Sequence, residues 1–176
     1  MDISYISGTF FFIIAFLNLF FAFIIWFRGK TKITFYLGWV ALFSSIYSFT
    51  WGGLYLFEGN RVLWSHLTWS GILMLPAFLT FVYYFTGKTK NIKIKIFPWY
   101  LVSFVFVFLS LTTSYVINDN LLSEYPYVFS GTAGPLNFLG RIFVILITIL
   151  SLFILLKESI IQLKCSEAGI FFIFNP

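Results

Sequence analysis

Five apolar runs, at residues 5–27, 33–57, 62–85, 96–117 and roughly 136–156, dominate this chain and leave little of it outside them. About 20 apolar residues of helix cross the roughly 30 Å of a bilayer's hydrocarbon core. Within that core every backbone N–H and C=O must be bonded inside the protein, which favours helix over open strand. The runs therefore predict an all-α membrane protein, a bundle of five transmembrane helices forming one membrane-embedded domain over residues 1–176. Composition bears on this at one point. With 60% hydrophobic and only 10% charged residues, too few charges remain to cover a soluble fold of this length, whereas a lipid-facing bundle needs few.

The charges fall between the runs in a pattern. Arg28, Lys30 and Lys32 follow the first run, Lys88, Lys90, Lys93 and Lys95 the third, and Lys157 and Lys164 the fifth. The intervening connections carry Glu58 with Arg61, then Asp119 and Glu124. Basic loops stay in the cytoplasm, so the N-terminus is expected outside and the C-terminus inside a cell membrane crossed several times. The net charge of +5 is spent on this alternation and forms no face for nucleic acid. The first run lacks a basic leader and a small-residue cleavage site and is too long for a signal peptide, so it reads as an anchor. Cys165, the single cysteine, permits no disulfide within the chain and reads as an ordinary cytoplasmic thiol.

The side-chain inventory excludes more chemistry than it offers. No acidic residue lies inside an apolar run, and His66 is the only imidazole. Neither paired carboxylates nor a nucleophile with its base can be assembled, nor any two-histidine metal motif or glycine-rich nucleotide loop. The expectation is a non-enzyme with no catalytic residue, metal or cofactor. Carriers driven by protons usually place ionisable groups at mid-membrane; here the most polar residue deep in a run is Asn18, best read as an interhelical hydrogen-bonding group. The segment SGTAG, 130–134, lacks the Lys and Ser or Thr of a phosphate loop and reads as a turn, preceded by a short strand in which Tyr125, Tyr127 and Phe129 alternate.

What remains is packing and one polar corner. Gly38, Ala41, Ser45, Ser48 and Gly52 recur at steps of three and four and form a small-residue stripe for helix contact. Their mean period of about 3.5 residues favours a left-handed crossing of roughly 20°. Ser103, Ser110 and Ser114 make a thinner stripe on the fourth run. In the third run Pro76 cannot donate to the carbonyl of Ile72, which predicts a kink and a freed acceptor. One turn inside the outer surface, His66 and Ser70 share a helix face beside Trp69, while Arg141 sits one turn inside the outer end of the fifth run. His66, Ser70, Trp69 and Arg141 are thus the candidates for sensing a small anionic or aromatic ligand, or external pH, since imidazole titrates in the physiological range. Interfacial anchoring competes with that role for each aromatic and for Arg141.

The stretch LWSHLTWS followed by GILMLPAFLTFVYYFTGK, 71–88, resembles the third helix of the N-terminal seven-transmembrane (7TM) region of bacterial and archaeal sensor histidine kinases, in which a Gly, a mid-helix Pro and a closing aromatic-Thr-Gly recur. The segment GTAGPLNFL, 131–139, is similar to that family's Gly-Pro lead-in to the fifth helix, and the N-out arrangement agrees. Phe85 stands where the family often has tyrosine. The resemblance covers most of the chain and implies a signal-input role in a two-component system. Two more helices and cytoplasmic PAS, dimerisation and ATP-binding modules follow in the family; here only a short apolar segment, 169–174, comes after the fifth run, read as an incomplete sixth helix. The chain is accordingly expected to be a sensor module cut off from its output, with the bilayer, a cytoplasmic kinase or other output module, or a second copy as partner, and no nucleic acid. The alternatives are a small stand-alone membrane subunit acting through helix contacts and a nonfunctional truncated remnant.

The charge pattern makes a direct prediction. In a Cys165→Ser background, Lys30→Cys and Lys90→Cys should react with a membrane-impermeant maleimide only after permeabilisation, and Asn60→Cys should react in intact cells. The reverse labelling would invert the topology.

Overall fold

A computed structural model describes residues 3–57, 60–117 and 134–167. Helices α1 (Ile3–Arg28), α2 (Lys32–Leu56), α3 (Arg61–Thr68), α4 (Met74–Phe85), α5 (Ile92–Thr112) and α6 (Asn137–Glu167) follow in order, with a 3-10 segment, Trp69–Leu73, joining α3 to α4. The described chain is helical and contains five segments long and apolar enough to cross a membrane; α3, the 3-10 segment and α4 together make the third of these, Val62–Phe85. The expected strand around 125–129 and the apolar segment 169–174 lie outside the described residues.

Three boundaries differ from expectation. α5 begins at Ile92, not 96, and ends at Thr112, not 117, because Thr113 is extended (φ −144°, ψ 158°). Its hydroxyl folds back onto the carbonyl of Leu109 at 2.6 Å. Lys93 and Lys95 ride the first turn with their charges directed outward, Lys95 lying over the Tyr83 ring at 5.6 Å. α6 runs on to Glu167, not 156, since Lys157, Glu158 and Gln162 are good helix formers.

α1 and α2 form the most extensive helix pair. They are joined by a tight turn capped by Thr31, whose hydroxyl accepts from the N–H of Thr34 at 3.2 Å while Thr34 Oγ1 accepts from the N–H of Thr31 at 3.1 Å. On α1, Gly8, Ala15 and Ala22 recur every seven residues, and all are buried. On α2, Gly38, Ser45 and Gly52 recur at the same step and are buried too. The two series run antiparallel in register. A Cβ at Gly52 would lie 3.2 Å from the Gly8 carbonyl, and Ser45 donates to the carbonyl of Ala15 at 2.7 Å. The next step sets Ala22 level with Gly38. Asn18, between two of these positions, donates to Ser44 at 3.1 Å. Ser48 is buried and Ala41 half-buried on the same helix.

α4 occupies the middle of the remainder, with α2, α5 and α6 against it. Ile72, Leu79, Val82, Phe143, Ile147 and Ile154 form its core with α6. Side-chain contacts sort the helix ends. At one end Tyr36 stacks on Tyr84 at 4.9 Å, Lys32 lies over the same ring at 5.9 Å, and Lys88 pairs with Glu158 at 2.8 Å. At the other, the N–H groups of Gly134 and Leu136 donate to Val116 and Tyr115 at 3.0 and 2.8 Å. The three basic clusters therefore gather at one end of the bundle, and the starts of α3 and α6 lie at the opposite end.

The α1–α2 register predicts a steep size dependence at its tightest point. Gly52→Leu drives side-chain atoms into Phe12 and the Gly8 backbone and should cost about 1–3 kcal/mol. Phe20→Leu, on the 62% exposed face of α1, should stay within about 0.5 kcal/mol. Unfolding midpoints in mild detergent would compare them, and equal effects would reject the register.

Candidate ligand cleft

The site begins with a backbone defect. Pro76 is the third residue of α4, where its missing N–H removes no helical bond that a first turn would have made. The chain before it tightens into the 3-10 segment, in which the N–H of Met74 is shared between Gly71 and Ile72 and that of Trp69 between His66 and Leu67. The expected irregularity is thus spread over the turn preceding Pro76, and the carbonyl of Ile72 that proline would orphan is bonded.

This winding frees the His66 carbonyl for a second partner. Ser110 Oγ on α5 donates to it at 2.9 Å, and in return His66 Nδ1 donates to the carbonyl of Ser110. A carbonyl only accepts, so Nδ1 carries the proton of this bond. The two-way clasp joins α3 to α5, and His66 is not among the residues lining the cleft described next. Ser70 Oγ is buried with no hydrogen-bond partner among the described residues and is likewise absent from that lining. Trp64 turns the other way, stacking on Phe57 at 5.7 Å over Gly53, where any Cβ would enter its ring.

Trp69 and Arg141 share one cleft. Together with Tyr47 and Trp51 of α2, Leu75 of α4 and Asn137 of α6, they line a cleft of about 570 Å³. α2 and α6 flank it without packing closely on each other, and the 3-10 segment forms its floor. Two glycines shape the walls. A Cβ at Gly71 would enter the Tyr47 ring, and one at Gly140 would come 2.5 Å from Trp69 Cζ3. Trp69 is held from behind by Phe106 of α5, stacked at 6.0 Å. Asn137 is fixed by its own amide, which donates to the Val116 carbonyl at 3.1 Å. Arg141, one turn further along α6, is exposed and is the only charged residue in the lining among the described residues.

Tyr47, Asn137, Gly71 and Gly140 were not singled out in the sequence as site residues. Gly71 and Gly140 carry the one available signal, a glycine inside an apolar helix, which marks close approach. Among the described residues no group of three or more His, Cys, Asp or Glu is placed to hold a metal. Chemically the cleft offers a guanidinium, an aromatic wall and an apolar floor. Comparison with protein-family models, curated proteins and solved structures finds no match.

The clasp predicts an asymmetry between variants. His66→Ala removes one interhelical bond and should cost about 0.6–1.7 kcal/mol, while His66→Asn, whose amide N–H can replace Nδ1–H, should retain most of the stability. Unfolding in detergent measures both, and equal losses would show that ring packing, not the hydrogen bond, holds α3 to α5.

Proposed function

We propose that this chain is a multi-pass, non-catalytic signal-input module of the kind found at the N-terminus of seven-transmembrane sensor histidine kinases, lying in the cell membrane with its N-terminus outside. The observation that carries the reading is the cleft at Trp69 and Arg141, which lies away from the basic end of the bundle. By the distribution of Lys and Arg that end faces the cytoplasm, so the cleft faces outward, where an input module receives its stimulus.

The family resemblance adds to this at one helix. Its closing Thr-Gly forms a C-cap for α4: the N–H of Lys88 reaches the Tyr83 carbonyl at 3.0 Å and that of Gly87 reaches Tyr84 at 3.2 Å, with Gly87 at φ +68°. α4 therefore runs from the floor of the cleft to a defined stop beside the Lys88–Glu158 pair. A ligand that favoured one winding of the 3-10 segment would shift that helix end, which is the kind of displacement a cytoplasmic output module reads. The stand-alone subunit reading relied on the α2 stripe; Gly38, Ser45 and Gly52 of that stripe lie against α1 in the same chain.

The test is genomic. The DNA beyond the Pro176 codon, in frame or as a neighbouring gene, should encode further apolar segments and a cytoplasmic kinase or comparable output module. An unrelated gene there, with no such module at the locus, would overturn the proposal.

A further inference from the structure

The polar and apolar residues of the cleft are separated along its length. Thr68, Asn137 and Arg141 lie toward the bundle end at which α6 starts; Leu75, Met74 and Val144 lie deeper. From Asn137 to Val144 is two turns of α6, about 10 Å, over which the lining changes from a guanidinium and an amide to aliphatic side chains. α2 and α6 flank the cleft without packing closely on each other, and α6 carries exposed aliphatic and aromatic side chains beside it. At about 570 Å³ it falls within the range of small-molecule sites, roughly 300–1,000 Å³.

We infer that the cleft takes a single-chain anionic amphiphile, its carboxylate or phosphate on Arg141 and its chain along Leu75, Met74 and Val144. Three features point to this class. A guanidinium matches an oxyanion with two parallel N–H donors and, being weakly hydrated, keeps that match beside apolar surface. Among the described residues no carboxylate lines the cleft. The floor past Arg141 is apolar, so a small hydrophilic anion would leave it uncovered, whereas an attached chain buries it. The inference rests on the input-module reading only for its consequence, which is that such an amphiphile is the stimulus; binding stands or falls separately.

The experiment uses the full chain in nanodiscs with palmitate carrying a mid-chain diazirine, photolysed and mapped by peptide mass spectrometry. Label should concentrate on Leu75, Met74 or Val144. Hexadecanol and hexadecyltrimethylammonium should not displace it. Displacement by decanoate from the aqueous phase assigns a soluble ligand, and displacement only by lysophosphatidylglycerol in the same bilayer assigns a lipid; either supports the inference. Arg141→Gln should weaken labelling about tenfold, with Arg141→Lys intermediate, and Val144→Trp should block it by filling the cleft while leaving the charge. Equal label on the exposed α1 face at Phe16 and Phe20, equal competition by hexadecanol, or wild-type labelling in Arg141→Gln would overturn it. Failure here with an output module at the locus removes the ligand class and keeps the input-module reading; success beside an unrelated gene does the reverse.

Discussion

In hydrocarbon no hydrophobic drive brings helices together, so association rests on close approach and on hydrogen bonds between segments. The architecture follows from where this chain permits such approach. The antiparallel series Gly8, Ala15, Ala22 and Gly52, Ser45, Gly38 brings two backbones near enough for a serine on one helix to bond a carbonyl on the other. A seven-residue step keeps the small positions facing one another along the pair. The large residues are turned out: Phe10, Phe16 and Phe20 are each at least 60% exposed. In water such a surface would aggregate; against lipid tails it costs nothing.

The same rule operates in the second half with glycines placed singly. Gly71 and Gly140 admit the rings of Tyr47 and Trp69 where any Cβ would collide with them. Filling one gap with an aromatic ring leaves another unfilled beside it, because rings are flat and helices are round. The cleft between α2 and α6 is such a gap, walled by the rings that hold its two sides in place.

The five membrane-length segments were legible in the sequence because length and hydropathy report the bilayer directly. Their ends were less so. The start of α5 at Ile92 precedes the apolar run because lysines can ride a helix past the hydrocarbon edge, and a hydropathy reading cannot separate that from a loop. The stripe on α2 was visible as spaced small residues; its complement on α1 was masked by intervening Phe and Ile, although the seven-residue step is there once sought. In the candidate site, Trp69 and Arg141 line one cleft while His66 and Ser70 do not. Helical spacing of 3.6 set His66 and Ser70 on one face, but His66 is engaged with Ser110 of α5 and neither residue lines the cleft. A local change of winding leaves no periodic trace in five residues.

That winding also bears on how a cleft at one end could affect the other. A regular helix from His66 to Phe85 would have each carbonyl committed to one N–H four residues on. In the 3-10 segment the N–H groups of Trp69 and Met74 are shared between two carbonyls each, and the His66 carbonyl draws its second bond from Ser110. Bonds shared in this way can be redistributed without any being lost to hydrocarbon, whereas breaking one outright would cost several kcal/mol. Below the defect, α4 is ordinary helix to its glycine cap. The segment with alternative bonding is the one that floors the cleft, and the segment without alternatives is the one that ends at Lys88 and Glu158. A compliant element beneath the cleft and a stiff one leading away from it is the order that the proposed input role requires.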